Sequence, residues 1–149
     1  MILDIHVHSS LSPCSRLDPH DILRSARSRG LDGVCITDHH TMEAWKAIRE
    51  EVQSDGLCVI IGQEYSTPEG DFLLFGPYEA LPRGLDAMRL LRYVRDTGGA
   101  AVAAPPCRAG RGIAPWVFES GFCLHAEGEN GRNTPRKTVR PGICCSAAD

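Results

Sequence analysis

Several features are scarce or missing in this 149-residue chain, and each absence narrows its function. No apolar run approaches the roughly 20 residues a membrane-spanning helix needs, so an integral membrane protein is not expected. There is no basic surplus: 16 Lys and Arg stand against 19 Asp and Glu, a net charge of −3, so nothing indicates nucleic acid. Met1 leads directly into strand-like sequence with no basic start and long apolar segment, so the expected location is cytoplasmic. Seven cysteines without such a leader, and odd in number, argue against a disulfide framework. Cys35, Cys58 and Cys123 lie in apolar runs and read as packed thiols, whereas Cys144-Cys145 has no second ligand pair at finger spacing. Internal repeats and interior linkers are absent as well. The length suits one domain with a real core.

The informative stretch lies at the start, Asp4-Ile5-His6-Val7-His8. Ile2, Leu3, Ile5 and Val7 predict a buried strand, whose alternation would put Asp4, His6 and His8 on one face. Two imidazoles at that spacing can grip one metal ion, with Asp4 placed to orient them. A polar loop, Ser9–Ser15, follows. Asp18-Pro19 then predicts a helix start, with Asp18 as N-cap, Ile22, Leu23 and Ala26 inward, and Gly30 at the left-handed exit. Gly33–Thr37 reads as a second strand ending in Asp38-His39-His40. Thr41 is expected to cap a helix with Trp45, Ile48 and Val52 on one face, ended by Gly56.

Leu57–Ile61 reads as a third strand leading into Gly62-Gln63-Glu64-Tyr65, and Phe72–Phe75 as a fourth, after a turn at Pro68–Asp71. A helix over about Leu85–Asp96 should turn Met88, Leu91 and Val94 inward. Ala100–Ala104 reads as a small-residue strand before Pro105-Pro106-Cys107-Arg108, Trp116–Glu119 as a short helix, and Phe122–Ala126 as a weak strand. Strands alternating with helices predict an α/β protein of parallel βαβ units. From about Asn133 both periodicities vanish. A closed barrel of such units normally needs at least about 200 residues, more than this chain has.

In βα folds, functional residues gather where strands end. Each polar cluster here follows a strand: His6 and His8, then Asp38-His39-His40, then Glu64, then Arg108. Such a set suits zinc, manganese or iron. Glu64 can bridge two ions with its two oxygens, or form a strand-end salt bridge. Cys14 can offer a thiolate to a thiophilic metal or stand as an inert loop thiol. Of Asp38 and His39, one can ligate while the other orients. His40 is expected to face elsewhere, and His20 and His125 to be bystanders.

These residues resemble the polymerase and histidinol phosphatase (PHP) domain family. Asp4-x-His6-x-His8 is similar to its first motif and Gly33–His39 to its second. Gly62–Gly70 resembles the segment bearing the bridging glutamate, and Val102–Arg108 the third motif, Ala-His-Pro-x-Arg. The likeness runs from about residue 1 to residue 136, and Ser12-Pro13-Cys14 resembles the stand-alone phosphoesterase branch. The resemblance implies a distorted (β/α)7 barrel with two or three divalent ions. It implies hydrolysis of a phosphate ester of a small substrate by a metal-bound hydroxide.

By matching position, the metal ligands would be His6, His8, Cys14, His39 and Glu64, and Glu64, Arg108 and Asp38 would carry catalysis, Arg108 by neutralising phosphate. The chain departs from the pattern at two points. Pro105 stands where the third motif has a metal-binding His, and the final Asp-x-His motif is missing. The expectation is therefore a PHP-like domain over 1–136, with fewer ions than a complete site, and an irregular tail over 137–149 that is not native family sequence. A metal-dependent phosphoesterase is the leading expectation. The alternatives are a degenerate module with a structural or metal-binding role, and an incomplete product whose open sheet edge folds poorly.

Overall fold

The structure, a computed structural model, describes residues 1–105 and 111–127. The elements run β1 (Leu3–Val7), α1 (Pro19–Ser28), β2 (Gly33–His39), a 3-10 turn (Glu43–Lys46), β3 (Cys58–Thr67), β4 (Gly70–Phe75), α2 (Ala87–Asp96), β5 (Ala100–Ala103), α3 (Pro115–Glu119) and β6 (His125–Ala126). The strands form one mixed sheet in that same order, β1 to β6. The fold class is α/β, as the sequence predicts. No helix among the described residues is long and apolar enough to cross a membrane.

The chain divides into two compact units. Met1–Glu64 and Pro77–Leu81 form one of them, built on β1, β2 and most of β3. These strands are parallel, with Leu3 beside Gly33, Val34 beside Val59, and His39 beside Glu64. Val34 through Asp38 are all buried, the signature of a strand covered on both faces. Gly33 is the only residue type that fits its position, because a Cβ there would lie 2.8 Å from the Cys58 carbonyl oxygen and 3.0 Å from Leu3 Cδ2. Helix α1 starts as predicted: the Asp18 side chain accepts from the His20 N–H at 2.8 Å, and Pro19 occupies the first turn. Ile22, Leu23 and Ala26 are buried, and Gly30 takes φ +69° just past the end.

In β1 the register advances three residues from Asp4 to Val7 while β2 advances two, from Val34 to Ile36. This bulge interrupts the strict alternation expected across Asp4-x-His6-x-His8. The predicted helix after Thr41 is reduced to the 3-10 turn. Met42, Ala44 and Ile48 point inward, whereas Trp45 is 52% and Val52 67% exposed. Backbone pairing explains the difference. Val52 forms an antiparallel bridge with Cys58, and the Val59 N–H donates to Glu51 O, so these groups serve the sheet instead of a helix.

The second unit comprises Tyr65–Gly76 and the described residues from Pro82 onward. Its strands correct the expectation of parallel units throughout. Only Pro68 and Glu69 separate β3 from β4, too few for a parallel crossover. Thr67 Oγ1 accepts from the Glu69 N–H and donates to Gly70 O, closing this hairpin. Strands β4 and β5 pair antiparallel, Phe72 with Ala103 through Phe75 with Ala100, while β5 and β6 are parallel. Asp86 caps α2 by accepting from the Arg89 N–H at 2.8 Å. Ala87, Leu90, Leu91 and Val94 form its buried face, and Met88 is only half-buried.

Candidate metal centre

Every ligand-type residue proposed from the sequence in the described part lies in the first unit, at the end of β1, β2 or β3 or in the loop after β1. His39 ends β2, and the parallel register sets it directly beside Glu64 on β3. His6 comes from β1, and His8 follows its last residue. Cys14 belongs to the loop between β1 and α1 and is exposed.

Three imidazoles meet on one oxygen. Glu64 Oε2 lies 3.2 Å from His6 Nε2, 3.0 Å from His8 Nε2 and 3.3 Å from His39 Nδ1. His6 Nε2 and His8 Nε2 are 2.8 Å apart. Two lone pairs cannot face each other at that distance without a proton or a cation between them. Ligands around a cation with bonds of about 2.1 Å would be about 3.0 Å apart in octahedral and about 3.4 Å in tetrahedral geometry. The donor set His6, His8 and Glu64 therefore fits a divalent ion in both chemistry and spacing.

Glu64 itself is 3% exposed. Burial alone pushes its carboxyl pKa up. Hydrogen bonds to His6 and His8, and the charges of His6 and His39, outweigh burial and hold it below the usual carboxylate range. The group is thus a carboxylate at neutral pH, the form that binds metal. A second donor set, His8, Cys14 and His39, has its ligand atoms within 4.8 Å of one another, with Cys14 Sγ 3.5 Å from His8 Nδ1. His8 is common to both sets.

The structure also shows what holds these groups, and here sequence reasoning missed two residues. Asp38 is 1% exposed, and its oxygens are taken up by the loop: the Ser9 N–H and the Ser12 hydroxyl donate to Oδ1 at 2.8 and 2.5 Å, and the Ser9 hydroxyl to Oδ2 at 2.6 Å. Ser9 and Ser12 are buried, at 0% and 1% exposure. Only the unusual placement of buried serines beside a buried acid distinguishes them, and a Ser-rich loop carries no such signal in sequence. Asp4 is exposed, and its carboxylate accepts from the His6 backbone N–H at 3.2 Å. His40 takes φ +53° and donates its N–H to Glu64 O at 2.9 Å, so its backbone ties β2 to β3 beside the histidines. His20 and His125 are exposed. Pro105, buried after β5, supplies no donor. Arg108 and the tail 137–149 lie outside the described residues.

A buried carboxylate ringed by imidazoles at the ends of parallel strands defines an α/β protein with a candidate divalent-metal centre. Comparison with known proteins shows the family. The PHP domain matches residues 4–99, and an uncharacterized protein of Methanocaldococcus jannaschii is 30% identical over 123 residues, covering 73% of this chain and 72% of that protein. The chain belongs to the PHP domain family. Among solved structures, a "putative metal-dependent phosphoesterase" of Bifidobacterium adolescentis superposes with a TM-score of 0.69 at 16% identity, over 91% of this chain and 79% of that one. PsfC from Pseudomonas syringae superposes with a TM-score of 0.64 at 20% identity, over 85% and 64%. Both share this chain's fold, which corresponds to part of a PHP-type barrel.

Proposed function

We propose that the protein is a metal-dependent phosphoesterase that hydrolyses a small phosphate ester. The observation that carries this reading is the convergence of His6, His8 and His39 on one buried oxygen of Glu64. Membership of the PHP domain family supports it, as does the activity for which the Bifidobacterium protein is named. His6, His8 and Glu64 would hold one ion, and Cys14 and His39 would serve a further one. A zinc, manganese or iron ion held there would supply Lewis acidity toward the phosphoryl group and would acidify a water.

The chain's own residues supply the rest. Glu64 brings the negative charge that a divalent ion needs, and its burial keeps competing water away from that charge. Asp38 orders the loop carrying Cys14, so its part is to position groups and not to touch substrate. Arg108 would offer its planar fork to phosphate oxygens.

One residue favours a second reading, a PHP module with weak or no catalysis: Pro105 stands where the family motif has a ligand. Elemental analysis and turnover of p-nitrophenyl phosphate with added manganese, compared with a His6→Ala/His8→Ala control, separate the two. Bound metal and turnover that both disappear in the control support the phosphoesterase. Less than one equivalent of metal, with turnover equal to the control, would sink it.

A further inference from the structure

We infer that Asp38, acting through the Ser12 hydroxyl, orients His8 for metal binding: Ser12 accepts the ring's Nδ1–H, so that with an ion held between His6, His8 and Glu64 it is the Nε2 lone pair that points at the ion. The inference rests on the reading that His8 ligates a metal ion, and adds to it the device that aims the ligand.

The bonding capacity of Ser12 Oγ fixes the direction of each contact. A hydroxyl has one proton to donate and two lone pairs to accept with. One lone pair is taken by the His39 backbone N–H at 3.0 Å. The proton is taken by Asp38 Oδ1 at 2.5 Å, since a carboxylate can only accept. The remaining lone pair faces His8 Nδ1 at 3.2 Å. That contact is attractive only if Nδ1 bears the hydrogen. With an ion between the three groups, a neutral ring protonated on Nδ1 presents its lone pair to that ion from Nε2, the atom 3.0 Å from Glu64 Oε2 and 2.8 Å from His6 Nε2; without an ion, Nε2 carries a hydrogen of its own toward the carboxylate. The exposed thiol of Cys14, 3.5 Å from the same Nδ1, can share that N–H as a weak acceptor without reversing the tautomer.

Among the described residues, the groups in this chain of bonds are shielded from water. Asp38, Ser9 and Ser12 are each at most 1% exposed, so water does not compete for their protons. Ser9 donates to Asp38 Oδ2 and accepts from the Leu11 N–H at 3.2 Å, so it pins the carboxylate against rotation from the other side. Metal-binding histidines generally give their second N–H to a carboxylate or carbonyl, which fixes tautomer and ring orientation. Here a serine hydroxyl transmits that role from a carboxylate one residue away from His39. Ser12 and Asp38 are therefore positioning residues.

The test reads the tautomer directly. In the full-length chain labelled with 15N-histidine, long-range proton–nitrogen correlation near about pH 8, where an ordinary imidazole is neutral, shows which ring nitrogen is protonated. His8 is assigned by its loss in His8→Gln. Zinc-loaded wild type should show His8 protonated on Nδ1 alone, with Nε2 free of hydrogen. Ser12→Ala should move His8 toward the Nε2–H form and weaken zinc binding about 10- to 100-fold. Ser12→Thr, which keeps the hydroxyl, should restore the wild-type spectrum and affinity. A zinc-loaded wild type whose His8 is protonated on Nε2, or a zinc affinity unchanged in Ser12→Ala, would overturn the inference even if zinc binds. Should Ser12→Ala not fold, the wild-type spectrum still decides. A wild-type chain that binds no zinc would overturn the metal reading itself, and the inference with it.

Discussion

Removing the Asp38 carboxylate should cost the first unit a large share of its stability. Asp38→Ala deletes three hydrogen bonds, of 2.8, 2.6 and 2.5 Å, and leaves the Ser9 N–H, the Ser9 hydroxyl and the Ser12 hydroxyl without their acceptor. Hydrogen bonds to a charged group contribute about 1.5–3 kcal/mol each. The gross loss is then about 4.5–9 kcal/mol, and relaxation with water entry into the void should bring the net to about 3–5 kcal/mol. Typical domains are stable by only about 5–15 kcal/mol, so the variant should be marginal.

Asp38→Asn keeps an acceptor on one side and can donate to Ser9 on the other, so about 1–2 kcal/mol is expected. Urea unfolding provides the assay. Trp45 belongs to the first unit and Trp116 to the second, and the sequence has no other tryptophan. In a Trp116→Phe background, fluorescence therefore reports the first unit alone. With a slope of about 1–3 kcal/mol per molar urea, Asp38→Ala should lower the midpoint by about 2 M. A loss below about 1 kcal/mol would show that the carboxylate is not the clamp on the loop, and would refute the hydrogen-bond reasoning.

Three further predictions concern other parts of the molecule. Glu64→Ala should reduce the proposed phosphoesterase activity more than Cys14→Ser, because Glu64 meets three imidazoles and Cys14 stands at the exposed edge; equal kcat/KM losses would contradict that ranking. Gly70→Ala should destabilise the second unit by about 1–3 kcal/mol in thermal unfolding, since Gly70 has φ +135° and a Cβ there would lie 2.4 Å from Ile113 Cδ1. Pairing it with Ile113→Ala should recover part of the loss, and a neutral single variant would refute the close approach. Burial pushes the Cys35 thiol up to about 12, with the charges of Cys58, Asp4 and Glu50 adding to it, and burial also raises Cys123. A raised thiol pKa keeps the unreactive neutral form, so iodoacetamide at about pH 8.5 should label exposed Cys14 and spare Cys35 and Cys123 in peptide mass spectra. Zinc should protect Cys14 if its thiolate serves the second donor set.

Much of this was legible in the sequence because it is written locally. Asp18-Pro19 marks the start of α1, the runs at Leu3–Val7 and Gly33–His39 mark two strands, and polar residues stand where each strand ends. Those endings alone brought His6, His8, His39 and Glu64 to attention. What escaped was non-local. The segment after Thr41 has helical spacing, but its backbone is claimed by β3 through Val52 and Glu51, and no periodicity encodes a competing partner. The bulge in β1 depends on pairing with β2, so alternation within Asp4–His8 could not reveal it. Ser9 and Ser12 gain their significance only from Asp38, 29 and 26 residues away.

The register of β2 against β3 has a consequence for how the molecule reaches its native state. His39 and Glu64 are neighbours because Val34 lies opposite Val59 and every later pair follows in step. A slip by one residue would turn His39 to the opposite side of the sheet from Glu64 and scatter the donor set. An ion that binds these residues would stabilise the in-step sheet and no slipped alternative, by an amount that grows with the logarithm of its free concentration. Occupancy of the centre would then act as a proofreader of strand alignment, drawing misaligned chains back toward the one pairing that can bind.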